Sequence, residues 1–97
     1  MLSVKLICVG RMREKFYIEA FNEYLKRLQP YCKLQLVEPT EQKLGDSPSQ
    51  KELEKALDRE AEDILTAIPS DSYVIALCIE GRELSSEALA ELVAKVE

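Results

Sequence analysis

Apolar and polar residues alternate along this chain with two periods, and the order of the stretches sets the expected architecture. Leu2-Ser3-Val4-Lys5-Leu6-Ile7-Cys8-Val9 alternates and then becomes continuously apolar before Gly10, as a strand does when it enters a covered sheet and stops in a turn. From Glu14 onward, Phe16, Tyr17, Ala20, Phe21, Tyr24, Leu25 and Leu28 recur at spacings of three and four, predicting a helix with one stripe facing a core. Pro30 ends that helix, and Lys26 and Arg27 in its last turn suit the negative end of the helix dipole. Lys33-Leu34-Gln35-Leu36-Val37-Glu38 alternates again as a second strand, stopped by Pro39.

Thr40 to Ser49 is polar, contains Gly45 and Pro48, and reads as a mobile loop. Ser49 followed by Glu52 is a capping-box pattern that starts a second helix. Its stripe is Leu53, Ala56, Leu57, Ala61, Ile64, Leu65 and Ile68, and Pro69 closes it. Tyr73 to Ile79 is apolar almost throughout and is expected as a third, central parallel strand. After Gly81 and Arg82, Ser85 or Ser86 caps a third helix that continues to Glu97. The expectation is therefore a three-layer α/β fold over residues 1–97, in one domain with a parallel sheet in βαβαβα order. Three strands this apolar expect further neighbours, so the sheet looks unfinished and open to pairing.

Composition narrows the function classes. Hydrophobic residues make up 46% of the 97 and charged residues 32%, a globular balance. The longest apolar run, Val74 to Ile79, is strand-sized, so no membrane role is expected. The N-terminus lacks a basic leader and a small-residue cleavage pattern, which predicts a cytoplasmic protein. Cys8, Cys32 and Cys78 are too scattered for a metal or redox pair and are expected as reduced core residues. Histidine is absent, which removes the commonest general base near neutral pH and any Ser-His hydrolase triad.

Net charge is −5, but residues 1–33 carry seven Lys/Arg against three Glu, and the remainder six against fifteen Asp/Glu. A basic first third on an acidic protein can contact RNA phosphates by local counterion release, or can simply be solvated helix surface. The turn Gly10-Arg11-Met12-Arg13 lacks the glycine spacing of a phosphate-binding loop, which weakens a flavodoxin-like nucleotide binder. Glu60 with Asp63, and Asp58 with Glu62, read as surface charge on the second helix rather than as acid–base pairs. In open α/β sheets ligands sit beyond the carboxyl ends of strands, which directs attention to Gly10, Pro39 and Leu77 to Arg82.

At those places the chain resembles a known family. Leu6-Ile7-Cys8-Val9-Gly10-Arg11-Met12-Arg13-Glu14-Lys15-Phe16-Tyr17 is similar to the opening of the RlmH family of SPOUT-class ribosomal RNA methyltransferases. Glu23-Tyr24-Leu25-Lys26-Arg27-Leu28 resembles its "EYxKRL" helix, with Pro30-Tyr31 following in register. Lys55 to Leu65 resembles its "KExxxIL" helix, and Val74 to Ser86 its "xLxxxGKxxSSE" segment. Four pieces in order cover essentially the whole chain.

The resemblance implies a small homodimeric enzyme whose C-terminal knot holds S-adenosylmethionine bent, methylating N3 of a pseudouridine in large-subunit ribosomal RNA on the ribosome. RNA, not DNA, is the implied nucleic acid. Leu77 matches the position whose backbone helps hold the cofactor; as a residue alone it reads as a buried strand position. Arg11, Arg13 and Lys15, with Lys26 and Arg27, are candidates for ribosome contact. Family members continue with an "IGGxxG" loop and further knot strands, so this chain is expected to be the truncated N-terminal part of such a domain and inactive by itself. A non-catalytic module that self-associates or binds a protein through its open sheet edge is the competing expectation.

Overall fold

β1 (Leu2–Ile7) and β2 (Cys32–Val37) pair in parallel, with Leu2 opposite Cys32 and Ile7 opposite Val37. Parallel neighbours need a crossover, and α1 (Lys15–Leu28) supplies it and packs against β2. α2 (Gln50–Ala67) and α3 (Ser86–Val96) follow. The computed structural model describes residues 2–96. The α/β class, the parallel pairing and all three helices are as the hydrophobic periods predict.

Local chemistry fixes the helix ends. The Glu52 amide donates to Ser49 Oγ at 3.1 Å, and the Ser49 hydroxyl donates to Glu52 Oε1 at 3.2 Å, so the predicted pair does start α2. The last turn of α2 has no basic residue of its own. Lys5 reaches across from β1 instead, its Nζ donating to the Ala67 carbonyl at 3.1 Å, which places a cation at the negative end of the dipole. Of the two serines proposed for α3, Ser85 is the cap, because its Oγ accepts the Ala88 amide at 3.0 Å. The expected end of that helix at Glu97 lies outside the described residues.

The third strand is a correction. Residues 73–79 form no ladder, and the sheet of the described residues has the order β1–β2 alone. A strand exists only where another edge satisfies its amides and carbonyls, and this segment pairs with neither outer edge of the β1–β2 sheet. Its side chains are correspondingly bare: Leu77 is 87% exposed and Ile79 fully so. The expectation that Leu77 is a buried strand residue fails for the same reason.

Burial is shallow throughout. Phe21 and Leu25 of α1, Leu34 and Leu36 of β2, and Leu53, Ala56 and Ile64 of α2 are half-buried, and no described residue is fully buried. Leu57 and Leu65 of the same α2 stripe stay exposed. The cysteines depart from expectation too: all three are free, but Cys8 and Cys78 are exposed and Cys32 is half-buried, so none sits in a core. The radius of gyration is 16.0 Å, against about 12.5 Å for a compact domain of this length. The helical stripes and the 73–79 segment thus present apolar surface that this arrangement does not cover.

Candidate functional site

Beyond the carboxyl ends of β1 and β2 the chain builds a short basic ledge. The ladder is prolonged past Ile7 by the Cys8 amide donating to the Val37 carbonyl at 3.0 Å and the Gly10 amide donating to the Pro39 carbonyl at 2.9 Å. Gly10 has φ +84°, a left-handed conformation that lets the chain leave the strand sharply without a Cβ penalty. The Met12 amide then donates to Glu38 Oε2 at 3.3 Å. Arg11, Arg13 and Lys15 follow as alternate residues, all exposed.

The two arms of this ledge are held by acids. Arg13 lies 3.7 Å from Glu41 and Lys15 3.9 Å from Glu19, while Arg11 makes no ion pair among the described residues. Both pairs are solvent-exposed, so each is weak and readily exchanged for another anion such as a phosphate. The segment read as a mobile loop is anchored to α2 within its own length: the Gln42 amide donates to Glu60 Oε2 at 2.9 Å, in a part-buried contact. Glu60, which reads from sequence as surface charge, therefore positions the 38–49 segment and, through Glu38 and Glu41, the basic ledge. A loop-to-helix contact across eighteen residues has no periodic signature, so pattern reading passes over it.

The second candidate region is the turn after the expected third strand. The Gly81 amide donates to the Cys78 carbonyl at 3.0 Å, and a Cβ on Gly81 would stand 3.0 Å from that same oxygen, so the turn is tight and a side chain there would make the carbonyl give by a few tenths of an ångström. An open concavity of about 360 Å³ is lined by Ala76, Leu77, Cys78, Ile79, Gly81 and Arg82. Its volume suits a small molecule, but a ligand site buries most of its ligand, and these residues supply one wall. By themselves they do not fit a cofactor of nucleoside size. No hydrogen bond or ion pair among the described residues joins this region to the basic ledge. Nor do the described residues include a group of His, Cys, Asp or Glu able to hold a metal.

A parallel crossover unit with exposed cations beyond the carboxyl ends of its strands defines an α/β protein, and in that class the strand ends are where a ligand or polyanion is met. The chain belongs to the SPOUT methyltransferase family, since the family described as "Predicted SPOUT methyltransferase" matches residues 2–97. It is 43% identical over 90 residues to the "Putative ribosomal RNA large subunit methyltransferase H" of Methanococcus maripaludis, covering 93% of this chain and 57% of that protein. It is 39% identical over 94 residues to the "Ribosomal RNA large subunit methyltransferase H" of Syntrophomonas wolfei, covering 97% and 59%. Identity to the protein of the same name from Limosilactobacillus reuteri is 40% over 95 residues, covering 98% and 60%. The chain thus spans less than two thirds of the length of these curated relatives. No helix among the described residues is long and apolar enough to cross a membrane.

Proposed function

We propose that this chain forms the N-terminal part of an S-adenosylmethionine-dependent methyltransferase that acts on large-subunit ribosomal RNA. The observation that carries the reading is the family match along residues 2–97, together with relatives named as ribosomal RNA large subunit methyltransferases. Methyl transfer to N3 of a pseudouridine on the ribosome is the specific reaction, and the cytoplasm its place. In this reading Arg11, Arg13 and Lys15 meet RNA phosphates, and the tight turn at Gly81 presents the Leu77 backbone to the methyl donor. The single wall around Leu77 accords with a site that needs further structure to enclose its ligand, and homodimerisation is one source of such cover. Residues 1–97 alone are accordingly proposed to be inactive.

Self-association is favoured by one observation, the bare apolar side chains of 73–79, which a second copy could cover. It is compatible with a dimeric enzyme and competes only as the sole function. The test joins this chain to the portion of the Syntrophomonas wolfei relative that has no counterpart in it, and follows tritium from S-adenosyl[methyl-³H]methionine into purified large subunits. The chimera is expected to label the RNA and the 97-residue polypeptide to stay at background. A folded, cofactor-binding chimera that leaves the RNA unlabelled would overturn the proposal.

A further inference from the structure

The turn that leaves β1 already holds two anions, and both belong to the chain itself. The Met12 amide donates to Glu38 Oε2 at 3.3 Å, and the Arg13 guanidinium lies 3.7 Å from Glu41 Oε2. The Glu41 side chain rests against the turn, since a Cβ on Gly10 would stand 3.6 Å from the same Oε2. A backbone N–H and a guanidinium next to a left-handed glycine are donors of the kind that take phosphate oxygens. In this turn each of them is occupied by a carboxylate.

Those carboxylates decide the local charge. Gly10 to Lys15 carries Arg11, Arg13 and Lys15 against Glu14, and Glu38 with Glu41 cancel the two charges left over. The ledge is therefore neutral while both acids are seated and cationic when they swing away. The segment that carries them is held unevenly. Its backbone is pinned on both sides of Glu41, by the Gly10 amide on the Pro39 carbonyl at 2.9 Å and by the Gln42 amide on Glu60 Oε2 at 2.9 Å. Among the described residues the Glu41 carboxylate has only its pair with Arg13, whose side chains are 84% and 63% exposed, so the contact changes an equilibrium by about fivefold at most. The pins keep the acid over the turn at an effective concentration of roughly millimolar, and the weak pair lets it leave. A single phosphate ion has to displace it unaided. A polyanion that also engages Arg11 or Lys15 brings its next phosphate to the turn as a tethered competitor.

We propose that Glu38 and Glu41 are a built-in carboxylate guard on an anion subsite at the Gly10–Arg13 turn, one that turns away single phosphates and yields to a polyanion presenting several. This rests on the reading of Arg11, Arg13 and Lys15 as RNA contacts and deepens it, because the guard sets which phosphates the ledge accepts.

The probe is inorganic phosphate, titrated into the 97-residue chain at a fixed ionic strength of about 0.15 M and followed by the amide resonances of Gly10, Met12 and Arg13. Glu41→Gln is expected to bring half-saturation to about two- to fivefold less phosphate than the unmodified chain needs. It leaves both backbone pins in place, which unchanged hydrogen exchange at Gln42 verifies. Glu14→Gln is the control: it removes the same charge from the same exposed stretch, but the Glu14 side chain makes no cap bond to α1 and no ion pair among the described residues. With distant charges screened at this salt, its gain should be less than half as large. Single-stranded oligouridylate should bind Glu41→Gln more tightly by the same two- to fivefold, because displacing the acid costs any ligand of the turn equally. A gain in Glu14→Gln of half that size or more reduces the effect to general charge and overturns the guard. So does the absence of any phosphate-induced shift at these amides, or a gain for phosphate with none for oligouridylate. Each of these leaves the ribosomal reading standing, since that is judged separately by RNA labelling with the chimera.

Discussion

Substituting the three glycines one at a time with alanine separates a required backbone conformation from a permissive one. At Gly10 a Cβ would meet Glu41 Oε2 at 3.6 Å and Glu41 Cβ at 3.9 Å, which is ordinary contact, so the whole cost comes from φ +84°. Holding an L-residue in the left-handed region costs about 1–2 kcal/mol, or a shift of roughly five- to thirtyfold towards conformers that release the turn. The hydrogen bonds released are Gly10 to Pro39 and Met12 to Glu38, and their loss turns Arg11 and Arg13 away from their present places. Amide-resolved hydrogen exchange is the assay: in Gly10→Ala the amides of residues 10 and 12 are expected to exchange about five to thirty times faster. Gly45→Ala is the control, because a Cβ there meets nothing within 4 Å, and it should leave both amides unchanged. Gly81→Ala should loosen only the 78–81 turn, where the new Cβ presses on the Cys78 carbonyl at 3.0 Å. If residues 10 and 12 keep their protection in Gly10→Ala, or lose as much in Gly45→Ala, the account of the basic ledge is wrong.

Three further outcomes are expected. Ser49→Ala removes the acceptor of the Glu52 amide and costs α2 about 1 kcal/mol, read as roughly fivefold faster exchange at Glu52 and weaker far-ultraviolet ellipticity; unchanged exchange would dismiss the cap. Arg11→Glu with Arg13→Glu should weaken ribosome binding and lower the slope of log K against log salt by about two; an unaltered slope would remove both residues from the RNA contact. In the chimera, Leu77→Ala should leave cofactor affinity within about twofold, because an exposed side chain carries little energy, whereas Leu77→Pro removes a backbone amide and should abolish binding; equal losses would mean that the side chain, and not the backbone, is used.

What the sequence made legible were the features with a local cause. The stripe from Phe16 to Leu28, the Ser49–Glu52 pair and the alternation at Lys33 to Val37 each placed an element to within a residue or two. Tyr73 to Ile79 was misjudged because an apolar run states a wish for neighbours and not their presence; pairing is decided by whichever edge is within reach. Cys8 and Cys78 followed the same error into an expected core. The glycine at position 10 was legible as a stop but not as a left-handed residue, and the roles of Glu38, Glu41 and Glu60 were invisible because their partners lie across loops of no fixed geometry. Leu77 stands as a proposed cofactor contact through the resemblance alone, since composition and period have nothing to say about cofactors.

The central claim is tested most directly by nucleoside-resolved mass spectrometry of large-subunit RNA from ribosomes incubated with S-adenosylmethionine and the chimera that carries this chain. One methyl group on a single pseudouridine, at N3, is the result expected, with none when the 97-residue polypeptide replaces the chimera. Methylation of a different nucleoside, or of no ribosomal RNA at all by a folded chimera that binds its methyl donor, would contradict the account.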